Sequence, residues 1–398
     1  MTRLPSVWAV LSAALSRVMS RGRYIPEIDG LRFVAIMMVV AFHVRGYVAA
    51  KFAPAGGWAV PPDQDWLGRA ALHGHFGVQL FFVISGFVLG RPFAAAYLAG
   101  GPPVRLGAYF ARRVTRLEPP YIISLLLMFG LLVAWRGEPV GELAPHLLAH
   151  VAYLHNLLFP GTPGVQFVAW SLEIEVQFYV LAPLLAFAFA GRHAYARLLL
   201  ALAAAVMIGQ WVTCGTHVPH FLTLAGFAQF FLGGFLLAGL SVTRWVRPPG
   251  VLTGRLWDGV SLVGWPALFL IWESAAATFW LLPPVLTMLT AAAIRGHASR
   301  RVFGFTPVAR IGGMCYSIYL VHYLLISLVG RLSGRVLVTD SFAVNLLIQM
   351  AVLVPVVVAG SAVFFVIAER PFMTKHWPAR VWSVLTGRPR SRPLPEPQ

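Results

Sequence analysis

The sequence predicts an all-α fold: a polytopic integral membrane helix bundle of about ten transmembrane helices, with both termini cytoplasmic. Three observations carry this expectation. The 398-residue chain is 58% hydrophobic and only 11% charged, a composition that fits a membrane bundle and excludes an ordinary soluble enzyme. Apolar stretches of roughly 17–25 residues, long enough to span a bilayer, stand at about 31–50, 76–92, 119–135, 167–190, 195–212, 221–242, 255–273, 276–295, 312–330 and 344–368. Of the Lys and Arg residues, 24 fall in the termini and alternate connections on one side and 5 on the other, while Arg32 and Arg45 lie inside the first span. By the positive-inside rule the basic side is cytoplasmic. The net charge of +17 is therefore a matter of topology, and no nucleic-acid partner is expected.

In chain order, residues 1–23 read as a cytoplasmic or interfacial segment. Trp8, Leu11, Leu15 and Val18 recur at helical spacing, and arginines at 17, 21 and 23 close the run. Residues 24–376 form the transmembrane domain. Residues 377–398, rich in Pro and Arg, read as a disordered cytoplasmic tail. The long outer loops, about 51–75 and 137–166, have the length of lids or binding surfaces. No repeat of fixed period is visible. Cys214 and Cys315 fall near opposite faces, so no disulfide joins them.

The first span organises the rest. Arg32 and His43 are eleven residues apart; eleven steps of about 100° return almost to the same helix face and rise roughly 16 Å. Asp29 leads that face. A charged group near the bilayer centre costs roughly 2.5–3.5 kcal/mol or more, so it is paired inside the bundle or functional. Counting from the span boundaries, His43, Ser85, Glu175, Gln229 and His322 converge on one depth, roughly 12–14 Å below the outer surface. A second cluster lies at the inner face: Asp29, Arg32, Arg112, Arg113, Arg116, Glu369 and Arg370. Arg113 and Arg116, at i and i+3, share a helix face before Pro119 and Pro120, and guanidinium groups suit phosphate and pyrophosphate. The two clusters describe a conduit for an extended ligand anchored by phosphates at the cytoplasmic face.

Weaker signals are read blandly. Glu142, His146 and His150 stand four apart, and His73 and His75 lie before the second span. Both sets are expected to be solvated or interfacial, with no metal bound. Gly226 to Gly234 reads as helix packing, and Trp265, Trp272 and Trp280 as interfacial anchors. No Gly-x-Ser-x-Gly elbow and no phosphate-binding Gly-rich loop with Lys-Ser/Thr is present.

The motifs Ile-Asp-Gly-Leu-Arg with Phe-His (28–32, 42–43), Phe-Phe-Val-Ile-Ser-Gly-Phe (81–87), Arg-Arg-Val-Thr-Arg with Pro-Pro-Tyr (112–121), Trp-Ser-Leu-Glu-Ile-Glu-Val-Gln-Phe-Tyr (170–179), Tyr-Ser-Ile-Tyr-Leu-Val-His (316–322) and Glu-Arg-Pro-Phe (369–372) follow one another in order. In these the chain resembles the membrane acyltransferase 3 family of bacterial surface-sugar O-acetyltransferases. The resemblance implies a multi-pass enzyme of the bacterial inner membrane that moves an acyl group, usually acetyl, from cytoplasmic acyl-CoA to a hydroxyl of an extracytoplasmic glycan such as O-antigen or exopolysaccharide. Its implied partners are the lipid bilayer, acetyl-CoA or another acyl-CoA as donor, and a glycan or lipid-linked glycan as acceptor, with no metal. The essential histidine of the family matches His43. Its aspartate and arginine match Asp29 and Arg32, and its Arg-x-x-Arg pair matches Arg113 and Arg116, so these four are expected to bind the donor. Glu175 is expected to be catalytic, orienting the imidazole or binding the sugar. Ser85, Trp170, Ser171, Gln177, Tyr319 and His322 are expected to serve the acceptor or support the site. Gln79 departs from the acidic residue common before Phe-Phe, and no soluble esterase-like domain of the kind fused to some relatives is present, which leaves acceptor choice to the bundle and its loops. Two alternatives stay open: an acyltransferase for a lipid or small metabolite, and a transporter or flippase of a lipid-linked sugar with the buried His and Glu as a relay.

Overall fold

The computed structural model describes residues 24–52, 54, 57–162, 164–214, 223–271, 275–333, 337–373 and 377. The expected segment 1–23 and nearly all of the tail 377–398 lie outside the described residues, as do Trp272 and the side chain of Cys214, and with the latter the expected absence of a Cys214–Cys315 disulfide. Among the described residues the secondary structure is helical throughout, without strands. In order the helices are α1 (Pro26–Lys51), α2 (Trp66–Leu72), α3 (Phe76–Leu98), α4 (Leu106–Arg136), α5 (Val140–Val151), α6 (His155–Leu158), α7 (Trp170–Leu185), α8 (Ala194–Cys214), α9 (Leu224–Thr243), α10 (Val251–Ile271), α11 (Ala275–Arg295), α12 (His297–Phe303), α13 (Thr306–Gly313), α14 (Cys315–Ser333) and α15 (Phe342–Phe364). Eight segments among the described residues are long and apolar enough to cross a membrane: 26–51, 66–98, 106–136, 167–189, 194–212, 224–243, 315–333 and 342–373. Helices also occupy the two other expected positions, α10 and α11. In α10 Arg255 and Asp258 dilute the apolar run, whereas α11 is apolar along its whole length up to Arg295.

α1 begins with Pro26 in its first turn, followed by Glu27 and Asp29. Proline there forfeits only an N–H that has no helical partner, and the two carboxylates face the positive end of the helix dipole. Glu27 also accepts from Arg300 Nε of α12 at 2.8 Å. α1 packs against α3 and against α11 through α15, which makes it the axis of the bundle. The start of α1 is clamped tightly: a Cβ at Gly312 would stand 1.7 Å from the Asp29 carbonyl oxygen, so α13 crosses α1 only because glycine is there. Gly234 of α9 meets the Val83 carbonyl of α3 in the same way, in keeping with the expected packing role of the Gly226–Gly234 stretch.

The third expected span, about 119–135, lies within one longer helix: α4 starts at Leu106 and runs through Pro119 and Pro120. Proline at 119 removes the N–H that would bond the Thr115 carbonyl. That carbonyl accepts instead from Trp377 Nε1 at 2.9 Å, and the neighbouring Leu117 carbonyl accepts from the Tyr316 hydroxyl at 2.9 Å. With the freed acceptor satisfied from outside, the helix continues. Arg112, Arg113 and Arg116 therefore sit on the same continuous helix as the span that follows them.

Candidate active site

Two cavities lie along α1. The one near its start, about 400 Å³, is lined by Arg32, Arg112, Arg113 and Arg116 together with Ser85, Glu175 and Tyr179. The other, about 470 Å³, holds His43 with Phe42, His75, Phe167 and Trp170. Val39, Val78, Ser171 and Tyr319 belong to both walls. At that boundary the hydroxyls of Ser171 and Tyr319 lie 3.1 Å apart, and Tyr319 donates to the Val168 carbonyl. Since Tyr319 spends its proton on that carbonyl, Ser171 is the donor between the two hydroxyls.

In the arginine-lined cavity the charges are fixed by short local contacts. Arg32 donates to Asp29 Oδ1 at 2.7 Å, one turn back on α1. Arg113 donates to the Tyr109 carbonyl at 2.6 Å and stacks on the Tyr109 ring at 3.5 Å, with the Tyr179 ring at 5.5 Å. Stacked guanidinium groups are held by their aromatic neighbours, so their remaining N–H groups stay available to an anion. Glu175 Oε1 accepts from the Ser85 and Tyr179 hydroxyls, each at 2.5 Å. Tyr109 and Tyr179 were not among the expected site residues. Both stand at i, i+4 from one that was, Arg113 and Glu175, and that spacing is the signal that could have found them.

The His43 cavity is governed by a hydrogen-bond chain. His322 Nδ1 lies 2.8 Å from the Tyr319 carbonyl and 3.0 Å from that of Ile318. A carbonyl only accepts, so Nδ1 carries the proton and Nε2 of a neutral ring is the acceptor. His322 Nε2 in turn lies 3.1 Å from His43 Nδ1, which is also 3.0 Å from the Val39 carbonyl. His43 therefore donates from Nδ1 and keeps its lone pair on Nε2. Two imidazolium rings would set donor against donor at 3.1 Å, so at most one of the pair is charged. Phe42, Phe167 and Tyr323 pack edge-on around the His43 ring.

Of the five residues expected at one depth, four resolve into pairs: His43 with His322, and Ser85 with Glu175. The structure separates Glu175 from His43, and the partner of the imidazole is His322. Gln229 bonds the Gly226 carbonyl of its own helix and lines neither cavity. Gln177 accepts from the Leu224 N–H and so caps α9, a supporting role. Glu369 bonds Ser317 at 2.5 Å beneath α14. Gln79, in the departing position, buries its Oε1 without a hydrogen-bond partner among the described residues. The expectation of solvated loop histidines also needs correction. Glu142 is exposed, but His73 and His150 are buried, and His75 lines the His43 cavity. His150 is buried because it meets His155 and Glu173, neither of which was singled out from the sequence. Burial and the neighbouring His150 and His146 rings push the His155 imidazole down to about 4.

Comparison with known proteins gives the family. The family model described as an acyltransferase domain, acyltransferase 3, matches residues 25–366. The peptidoglycan O-acetyltransferase OatA of Listeria monocytogenes is 26% identical over 338 residues, covering 77% of this chain and 50% of that protein. A putative O-acetyltransferase of Staphylococcus aureus strain COL is 26% identical over 172 residues, 41% of this chain and 25% of the relative. The putative peptidoglycan O-acetyltransferase YrhL of Bacillus subtilis is 28% identical over 174 residues, 41% and 24% respectively. The chain therefore spans half or less of the length of these relatives. No solved structure matches. With a family model covering most of its length, from the start of α1 to beyond α15, the chain belongs to the acyltransferase 3 family of membrane acyltransferases.

Proposed function

We propose that the chain is a membrane O-acyltransferase that takes an acyl group, acetyl in the first instance, from acyl-CoA and delivers it to a hydroxyl of a glycan of the bacterial cell envelope. The observation that carries this reading is the meeting of the two cavities at Ser171 and Tyr319, with arginines in one and the His43 lone pair in the other. The relatives named as peptidoglycan O-acetyltransferases support a glycan acceptor.

The basic side of the bundle faces the cytoplasm of the inner-membrane cell, and with it both termini and the arginine-lined cavity. Arg32, Arg113 and Arg116 hold the phosphates of the donor, and Asp29 fixes Arg32. Glu175, held by Ser85 and Tyr179, supplies a counter-charge to the arginines and positions the donor arm. That arm runs beside α1 toward the boundary, a rise of roughly 16 Å from Arg32 to His43. The acceptor enters the His43 cavity with its sugar against Trp170 and Phe167. His43 Nε2 takes the proton from the acceptor hydroxyl, the oxygen attacks the thioester carbonyl, and the C–O bond forms as the C–S bond breaks. The leaving thiolate recovers the proton from the imidazolium, whose Nδ1–H is stabilised meanwhile by His322 and the Val39 carbonyl.

The test is release of free thiol from acetyl-CoA by the purified protein in nanodiscs, wild type beside His43→Ala. Thiol release by the wild type and its loss in the variant, with the variant still inserted in the membrane, is the expected result. Full activity in His43→Ala would overturn the scheme, and turnover of a lipid-linked sugar without any acyl donor would favour a transporter.

A further inference from the structure

α7 carries Glu173 and Glu175 two residues apart, and about 200° of helical rotation sends them to opposite sides. Glu175 faces the arginine-lined cavity. Glu173, fully buried, faces the loop formed by α5 and α6. There it meets His150, with His155 and then His146 beyond it. His150 Nδ1 lies 3.2 Å from one Glu173 oxygen, and the Asn156 N–H donates to the other at 2.8 Å. His155 lies parallel to His150 with ring centres 3.9 Å apart, and its Nε2 is 2.9 Å from Nδ1 of His146. The ligand atoms of His150, His155 and Glu173 all fall within 4.8 Å of one another. Among the described residues no Lys or Arg pairs with Glu173.

Gly164 closes the site from above. Its φ is +57°, and a Cβ there would stand 2.3 Å from His155 Nε2 and 2.6 Å from His150 Nε2. A side chain at 164 would crowd both rings, so glycine is required there, while His150 turns its Nδ1 toward Glu173.

We infer that His150, His155 and Glu173, with His146 as fourth donor, bind a divalent transition-metal ion of the zinc type, and that this ion clips the outer loop to α7. Imidazole nitrogens with one carboxylate suit Zn²⁺ and its stand-in Co²⁺, whereas Mg²⁺ and Ca²⁺ prefer oxygen alone. Ligands about 2.0–2.2 Å from a tetrahedral ion stand roughly 3.3 Å from one another. The His146–His155 and His150–Glu173 contacts, at 2.9 and 3.2 Å, are close to that spacing. A dication also supplies the charge that a buried carboxylate without Lys or Arg requires. The site has a structural part to play. Gln166, whose N–H reaches His150 Nε2 at 3.4 Å and whose amide donates to the Leu320 carbonyl at 2.9 Å, leads directly into Phe167 and Val168 of the His43 cavity. The ion fixes one wall of the acceptor cavity.

The experiment is metal analysis of the full chain, purified without a polyhistidine tag, followed by chelator stripping and titration with Co²⁺ alone. The expected result is about one zinc per chain and tetrahedral Co²⁺ absorption, with affinity at least tenfold weaker in His155→Ala and in Glu173→Gln and unchanged in Glu142→Gln. Should the buried variants fail to fold, chelation of the wild type serves instead: it must lower the thermal midpoint, and zinc must restore it. Absence of bound metal with no Co²⁺ uptake, equal binding in His155→Ala, or a midpoint indifferent to chelator would overturn the inference and leave the His150–Glu173 hydrogen bond as a metal-free contact. None of these readouts needs an acyl donor, so they stand or fall apart from the proposed transfer reaction.

Discussion

Replacing His322 by leucine isolates one link of the His43 chain. The side chain is fully buried, and its Nε2 accepts the His43 Nδ1 proton at 3.1 Å. Leucine keeps an apolar body of similar bulk but accepts nothing. His43 Nδ1 then retains only the Val39 carbonyl at 3.0 Å, so the tautomer survives and the lone pair stays on Nε2. What is lost is a hydrogen bond to a ring that turns cationic in the transition state, and bonds to charged groups contribute about 1.5–3 kcal/mol. At 1.36 kcal/mol per tenfold in rate, kcat should fall by about 10–150-fold. KM for acyl-CoA should hold steady, because His322 lines neither the arginine cavity nor its aromatic supports. The assay is thiol release under saturating acceptor, with membrane insertion checked alongside. Loss as complete as in His43→Ala would mean that His322 itself handles the reacting proton. An unchanged kcat would mean that the two rings are merely packed together.

Other substitutions probe the remaining parts. Arg113→Ala removes a guanidinium held on Tyr109 and should raise KM for acyl-CoA about tenfold or more while sparing acceptor binding; the reverse pattern in steady-state kinetics would exchange the two ends of the site. Arg113→Lys should rescue poorly, since an ammonium lacks the planar fork. Glu175→Ala strands the Ser85 and Tyr179 hydroxyls and should destabilise the protein by about 1–3 kcal/mol, whereas Glu175→Gln keeps an acceptor and most of the stability. Equal thermal midpoints for these two variants would remove that role from the carboxylate. Gly234→Val places a Cβ against the Val83 carbonyl, 2.1 Å away for an ideal Cβ, and should cost folded yield in detergent far more than Gly250→Val, where nothing stands within 4 Å.

Much of this protein is written in local pattern. Apolar length, the bias of Lys and Arg among connections, and the eleven-residue step from Arg32 to His43 depend on bilayer thickness and helical pitch alone. For that reason the helices stand where they were expected, the Asp29–Arg32 pair is closed within one turn, and Arg32, Arg112, Arg113 and Arg116 of the inner cluster line a single cavity. The ordered motifs were enough to identify the family.

Partner choice is another matter, because it depends on which faces of distant helices meet. His43 and His322 are 279 residues apart, and nothing in either neighbourhood names the other; only the packing of α14 on α1 joins them. Equal depth in the membrane placed Glu175 and His43 on one level, but depth says nothing of azimuth, and the azimuth of α7 turns Glu175 toward Ser85 and the arginines. That α4 continues through Pro119 and Pro120 was not legible locally, because a proline's lost bond is local whereas the Trp377 and Tyr316 donors that satisfy the region come from elsewhere in the chain. The loop histidines show the same division. Four-residue spacing put His146 and His150 on one helix face, but whether that face met water or the buried Glu173 was decided only when α5, α6 and α7 closed on one another.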